Sequence, residues 1–484
     1  MACLSAQAKP RFNASEIAGP SAQLMICDLD GDGLKDLVLM DDLNLSIFYQ
    51  DPKHGFTREP QQSYRLEHRP CVVWAAKLGR PAESLLVMTS DGVTELGFTN
   101  RTGPPAVRQI IRQATIVPDA AEDTNGMCLV LSAKTGGDWP LLLVPATEGL
   151  QVWSALRSAA TADGQHREEW VQAQVIGHCI DASLGPSVAN PGYTKSVGLD
   201  LSVGDVNGDG REDLMVRRSQ GGRTNTYSLY VQQSNGLFAL EPAWTYADKV
   251  EPHSWLCWAD LNRDGKVDLI KSVWLNEASF LPGIPSGKVL VSAYMADERG
   301  RIPSEPQQVF RKNDFVAALP VVDVDGDGFL DLVLGYSQMD SKEGVIKGIT
   351  AKKLDYSLRF YFYRPGGGFP KEEDCQRDVV IHLDRAAMLL SWGQRQYLER
   401  YVQIGGDFNG DGKAALMVRD RSDEISVYFF VSREKGFSLK PDLRFSCPEA
   451  IDEWEVTDLN QDGVSDVIVR LGKQNAYRVF LSQK

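Results

Sequence analysis

No stretch of eighteen apolar residues occurs in these 484 residues, so no segment reads as a membrane-spanning helix. Clusters of Lys and Arg are missing too, and the formal charge is −14, which argues against a nucleic-acid partner. No long tract of one sign carries that charge; it comes in small packets along the chain. The eight cysteines (Cys3, Cys27, Cys71, Cys128, Cys179, Cys257, Cys375, Cys447) never stand as C-x-x-C, which removes zinc-ribbon and thioredoxin-type readings. Cys27, Cys71 and Cys257 lie in apolar, strand-like runs and read as buried thiols. The histidines form no His-Glu-x-x-His pair, and there is neither a G-x-S-x-G elbow nor a phosphate-cradling loop. Disorder is excluded as well, because 43% apolar and 9% aromatic residues suffice for a packed core.

What is present is a repeat. The pattern Asp-x-Asp/Asn-x-Asp-Gly-x-x-Asp, followed by Leu or Val, first reads Asp28, Asp30, Asp32, Gly33, Asp36, Leu37. It returns at Asp205, Asn207, Asp209, Gly210, Asp213 and at Asp260, Asn262, Asp264, Gly265, Asp268. A fourth copy is Asp323, Asp325, Asp327, Gly328, Asp331, and a sixth is Asp458, Asn460, Asp462, Gly463, Asp466. The fifth, Asp407, Asn409, Asp411, Gly412, has Ala415 where the last Asp belongs.

The surroundings repeat with the loop. Short Val/Leu/Ile runs follow it (Leu37–Met40, Leu214–Val216, Leu332–Leu334, Val467–Val469), and others precede it (Leu24–Ile26, Leu319–Val322). Runs of this length bounded by Gly and Asp predict strands. A third alternating run, such as Leu45–Tyr49 or Ile425–Phe429, leads to a Gly-Phe turn at Gly55-Phe56, Gly236-Leu-Phe238, Gly368-Phe369 or Gly436-Phe437. Four strands in about sixty residues are the make-up of a propeller blade.

Two degraded units fit between Asp36 and Asp205: Leu85–Met88 with Asp91–Leu96, and Leu141–Val144 with Glu148–Trp153. Their loops, Ala76–Glu83 and Ser132–Trp139, lack the ligands. The expected fold is therefore all-β, a single β-propeller of about eight four-stranded blades, with seven as the alternative. An insertion is expected around Glu372–Gln396 and a surface loop at Gly192–Gly198. The last unit stops after its third strand, Tyr477–Leu481, while Arg11-Phe12 resembles the Gly-Phe segment that opens a fourth strand elsewhere. The N-terminal strand is thus predicted to complete the last blade, which removes an exposed edge. Ala6-Gln7-Ala8 fits the small-x-small pattern before a signal-peptidase cut, so residues 1–8 read as a signal remnant or tail and 9–484 as the propeller.

The spacing predicts calcium. Side chains at positions 1, 3, 5 and 9 converge only if the chain turns tightly, and Gly at position 6 permits that turn. Hard oxygen donors, with a backbone carbonyl from position 7 (Leu34, Arg211, Lys266, Phe329, Lys413, Val464), suit calcium over softer metals. Three or four carboxylates within nine residues repel one another without a cation. Five or six ions per chain are expected, tightest at the four-carboxylate loops of Asp28 and Asp323 and weakest at Asp407. Six would add +12 to −14, leaving about −2.

These loops and their flanking strands resemble the FG-GAP or VCBS repeats of integrin α-subunit heads and many secreted bacterial proteins, over roughly residues 22 to 482. The resemblance implies structural calcium at the blade rims, and because only extracellular or periplasmic calcium is high enough to fill moderate sites, a setting outside the cytoplasm is expected. It leaves the job open. The leading expectation is a non-enzymatic scaffold binding a protein or a glycan, alone or as a module of a larger assembly. The alternative is a polysaccharide lyase, with His166, His178 and His253 as candidates for a site at the axis. Trp255, Trp258, Trp274 and Trp392 are candidates for stacking on sugar rings, with core packing preferred for Trp258; His54 reads as a surface-turn residue.

Overall fold

A computed structural model describes residues 11–19, 23–68, 70, 72–98, 100–115, 130–131, 139–146, 148–157, 168–177, 181–186, 193–198, 200–207, 209–220, 224–249, 254–274, 289–312, 315–318, 321–337, 350, 352–382, 400–472 and 476–483. Within them the chain is an all-β propeller of eight four-stranded antiparallel blades. Blade one runs Gln23–Cys27, Asp36–Asp41, Asn44–Phe48, Gln62–Arg65, each strand beside the next. Blades two to seven repeat this order, starting at Val72, Val130, Asp200, Ser254, Phe315 and Val402.

Blade eight takes its outer strand from the other end of the chain. Arg11–Ala18 pairs antiparallel with Ala476–Gln483, from Arg11 opposite Gln483 to Ala18 opposite Ala476. The predicted strand exchange is therefore observed. Phe12 anchors it, its ring edge-on to Phe445 at 4.9 Å. Arg11-Phe12 opens this outer strand as expected, but the Gly-Phe pairs it was likened to do not open theirs. The Gly-Phe pairs stand seven or eight residues ahead of theirs: Gly436-Phe437, for instance, forms a hairpin with Phe430–Ser432 before the outer strand Leu443–Ser446.

Two further expectations are corrected. Cys375–His382 pairs with Lys353–Tyr361 as the outer strand of blade six, so no insertion begins at Glu372. The extra length of that blade falls between its second strand, Leu332–Ser337, and its third, and again after His382. Tyr193–Gly198 is likewise no loop; it pairs with Asp181–Pro186 in a separate two-stranded sheet, because a run alternating as Tyr-Thr-Lys-Ser-Val can extend as readily as it can turn.

The chain divides into two compact units, Ala22–Gln50 with Glu59–Val250, and Met1–Ser21 with Asp51–Arg58 and Glu251–Lys484. Within each unit the apolar faces of neighbouring blades form the cores. In the first, Cys27, Val38, Ile47 and Tyr49 of blade one pack with Val73, Leu85, Val87 and Phe98 of blade two. In the second, Val333, Leu358 and Phe360 of blade six pack with Val402, Leu416 and Val418 of blade seven. Alternate residues of each second strand face opposite neighbours, which is why runs at their heads, such as Leu37–Leu39 and Val467–Val469, are apolar and buried on both faces. Cys27, Cys257, Cys375 and Cys447, the described cysteines, carry no disulfide, and Cys71 lies outside the described residues.

Candidate metal loops and their anchors

Each acidic loop joins the first strand of its blade to the second, and all six share one internal geometry. The carboxylate at position 1 accepts the backbone N–H of the position-6 glycine: Gly33 to Asp28 at 3.1 Å, Gly210 to Asp205 at 2.8 Å, Gly265 to Asp260 at 2.9 Å. Gly328 to Asp323, Gly412 to Asp407 and Gly463 to Asp458 close the same turn at 2.7–2.8 Å. These six glycines have φ between 77° and 91°, the left-handed region the spacing called for. In the five loops where position 4 is described it is left-handed as well, even where it is Arg263 (59°) or Gln461 (56°), which the spacing did not predict.

The side chains at positions 3 and 5 are held in the same way. The residue at position 3 accepts the position-5 N–H, as in Asp30 from Asp32, Asn207 from Asp209, Asn262 from Asp264, Asp325 from Asp327, Asn409 from Asp411 and Asn460 from Asp462. The position-5 carboxylate accepts the N–H of Leu34, Arg211, Lys266, Phe329, Lys413 or Val464 at 2.8–3.1 Å. Each carboxylate at positions 1, 3 and 5 keeps further lone pairs, and in two loops these converge. One oxygen each from Asp28, Asp30 and Asp36 lies within 4.8 Å of the others, and the same holds for Asp323, Asp325 and Asp327. Donor sets made of aspartate oxygens alone fit a hard cation such as calcium.

Position 9 has a second job that spacing did not reveal. Asp36, Asp213, Asp268, Asp331 and Asp466 are fully buried at the head of their second strands. One oxygen of each accepts an N–H from the far end of the third strand: two residues beyond it at Gln50 (3.0 Å), Gln232 (2.9 Å), Ala296 (2.8 Å) and Tyr363 (2.9 Å), and within the longer strand of blade eight at Ser482 (2.6 Å). The other oxygen accepts the position-2 N–H of Leu29, Leu261, Val324 or Leu459 in four of these loops. The carboxylate is a strut tying the loop to the far end of its blade. Burial pushes its pKa up, to about 7 for Asp36, Asp268 and Asp331 and about 6 for Asp213 and Asp466, while the two amides pull the other way.

Where the motif decays, other pairings appear. In blade two Ser84 stands at the strut position, and its hydroxyl donates to Glu95 at 3.0 Å. Buried Glu95 is also held by Arg80 at 2.7 Å and Arg108 at 2.9 Å. In blade seven Ala415 leaves no strut, and the Asp407 N–H instead donates to the Ser465 hydroxyl of blade eight at 2.9 Å. Residues 132–138 of the other decayed loop lie outside the described residues.

Two arginines complete the picture. Arg101, in the turn between the third and fourth strands of blade two, donates through Nε to Asp30 and through Nη2 to Asp32 (2.9 Å) of blade one. Arg433, in the corresponding turn of blade seven, donates to Asp325 and Asp327 of blade six. The Asn-bearing loops of Asp205 and Asp260 are compensated locally, by Arg211 on Asp209 and by Lys266 on Asp264 at 3.2 Å.

The other candidates are not drawn together. His54 is exposed and bonded to Asp51 on a surface turn, as expected, while His166, His178, His253 and Trp392 lie outside the described residues. Trp255 and Trp258 are half-buried in the first strand of blade five, Trp255 against the core shared with blade six; the Trp274 side chain is outside the description. Among the described residues, no helix is long and apolar enough to cross a membrane.

Residues 194–270, which contain the loops of Asp205 and Asp260, match the FG-GAP-like repeat family. That stretch is FG-GAP-like, and the same acidic loop recurs in four further blades of the propeller. No curated protein matches its sequence. Among solved structures, BBS1N in complex with ARL6DN, soaked with lead, overlaps this chain with a TM-score of 0.37 at 10% identity, covering 98% of this chain and 97% of that one. The mercury-soaked crystal of that complex gives 0.35 at 9%, with the same coverage. A lectin from Agrocybe aegerita, described as recognising non-reducing terminal N-acetylglucosamine, gives 0.35 at 12%, covering 69% of this chain and 88% of the lectin. Overlaps this loose speak to neither the ligand nor the partner of this propeller.

Proposed function

We propose that this propeller is a calcium-stabilised binding scaffold that works outside the cytoplasm and presents its surface to a protein or a glycan. The observation that carries the calcium part is the convergence of three aspartate oxygens within 4.8 Å in the loops of Asp28 and Asp323. Support comes from the same turn geometry recurring at Asp205, Asp260, Asp407 and Asp458, with oxygen donors throughout. In each loop the position-7 carbonyl, from Leu34, Arg211, Lys266, Phe329, Lys413 or Val464, would add one more oxygen. Five or six ions would offset most of the −14 charge. The setting follows from affinity, because resting cytosolic calcium is too low to fill moderate loop sites whereas extracellular calcium is not.

The scaffold role rests on the fold. Rigid blades hold connecting loops at fixed positions, and binding residues gather on such loops. Thermal unfolding in calcium and in chelator, with bound metal counted by elemental analysis, tests the reading. Five or six calcium ions and a melting point that falls by many degrees in chelator are expected. A chain that holds no calcium and melts alike in both would overturn it.

A further inference from the structure

Arg101 and Arg433 stand at one and the same place in the repeat. Leu85 pairs with Leu96 in blade two, Leu416 pairs with Tyr428 in blade seven, and each arginine follows its partner residue by five. Both guanidiniums also lie over an aromatic ring of the preceding blade: Arg101 over Tyr49 at 5.3 Å and Arg433 over Phe362 at 5.4 Å. Those rings are equivalent too, each one residue past the third-strand partner of the residue that follows the strut, Phe48 opposite Leu37 and Tyr361 opposite Leu332. The blades that send out these arginines have Ser84 and Ala415 in place of the strut aspartate. Elsewhere the strut fixes the chain just beyond the third strand, for example at Gln50 and Tyr363. In blades two and seven that anchor is absent, and the turn is tied instead to the acidic loop of the blade before it. At the Asp260 loop, by contrast, the next blade has Gly366 at the arginine position.

From this repeated arrangement we infer that Arg101 and Arg433 are built-in cations of the Asp28 and Asp323 loops. They compete with a metal ion for the carboxylates at positions 3 and 5. The inference rests on the calcium reading for the word "compete" and on geometry alone for the clamp. Each guanidinium occupies the Oδ2 atoms of both carboxylates, while their Oδ1 atoms already accept backbone N–H groups. An ion that enters must share those oxygens with a fixed positive charge a few ångströms away, or displace it. The two loops with four carboxylates are then the weak members of the set, the reverse of what counting charges suggests. Metal entry there loosens one blade-to-blade tie, whereas in the Asn-bearing loops it does not.

The test compares the full chain with Arg101→Gln, Arg433→Gln and the double variant, titrated with calcium alone by calorimetry and melted in chelator. The wild type is expected to show two sites at least about tenfold weaker than the rest, and these two are expected to tighten by about that factor in the double variant. Without the clamp the crowded carboxylates repel unopposed, so each variant is expected to melt several degrees lower in chelator. Should Arg433→Gln not fold without metal, Arg433→Lys keeps the charge, loses the fork and is expected to fall between. Calcium affinities unchanged by the substitutions, or equal melting in chelator, would overturn the inference. A wild type that binds no calcium, with variants that still melt lower in chelator, would remove the calcium reading and leave the arginines as the loops' cations.

Discussion

Asp331→Ala separates the strut from the metal ligand. Asp331 is fully buried and accepts the N–H of Val324 at 3.0 Å and of Tyr363 at 2.9 Å. Alanine leaves both amides without an acceptor, in a place that the neighbouring strands close to water. An unsatisfied buried donor costs about 1–3 kcal/mol, so the pair is worth about 2–6 kcal/mol. Burial already pushes the Asp331 pKa up to about 7, and removing a poorly solvated charge returns part of that cost, which favours about 2–4 kcal/mol. Asp331→Asn retains one acceptor oxygen and should lose about half as much. The measurement is urea unfolding in chelator, followed by tryptophan fluorescence, together with hydrogen exchange at the amides of Val324 and Tyr363. Because the two bonds need no metal, the loss must persist in chelator. If Asp331→Ala unfolds at the wild-type urea concentration there, or if those two amides exchange no faster, the strut reasoning is wrong and position 9 acts through metal alone.

Gly463→Ala, at φ 80°, should cost about 1–2 kcal/mol with or without calcium, because the strain lies in the backbone; urea unfolding in chelator checks it. Deleting residues 1–18 removes the outer strand of blade eight and uncovers Ala476–Gln483, so the truncated chain should aggregate on concentration, as light scattering would report. An equally soluble, equally stable truncation would mean that this strand pairing contributes little.

The strands and the turn of each loop were legible in the sequence because their determinants are local. Nine residues encode the spacing from Asp458 to Asp466, and a positive φ at Gly463 follows from the tightness of the turn they make. The strand exchange was legible for a different reason, since a blade one strand short at one end matched a spare strand at the other. The arginine clamps were not, because Arg101 reaches back 71 residues to Asp30 and Arg433 reaches back 108 to Asp325. Aligning the blades on their third strands would have put both arginines in one column, but the ring beneath and the missing strut give the column its meaning. The outer strand Cys375–His382 was misplaced because its exposed residues, such as Gln376 and Asp378, give it the polarity of a loop. An edge strand with one wet face has to look that way.

The pairing of Arg11–Ala18 with Ala476–Gln483 also sets the timing of folding. During synthesis the first strand leaves the ribosome long before its partner, and it waits through more than four hundred residues for the ladder it belongs to. Contacts of such sequence separation form slowly, so blade eight is the expected last step of folding and the first place for the chain to open. Whatever is fused ahead of Arg11 or behind Gln483 departs from the same end of one ladder, since those two residues face each other.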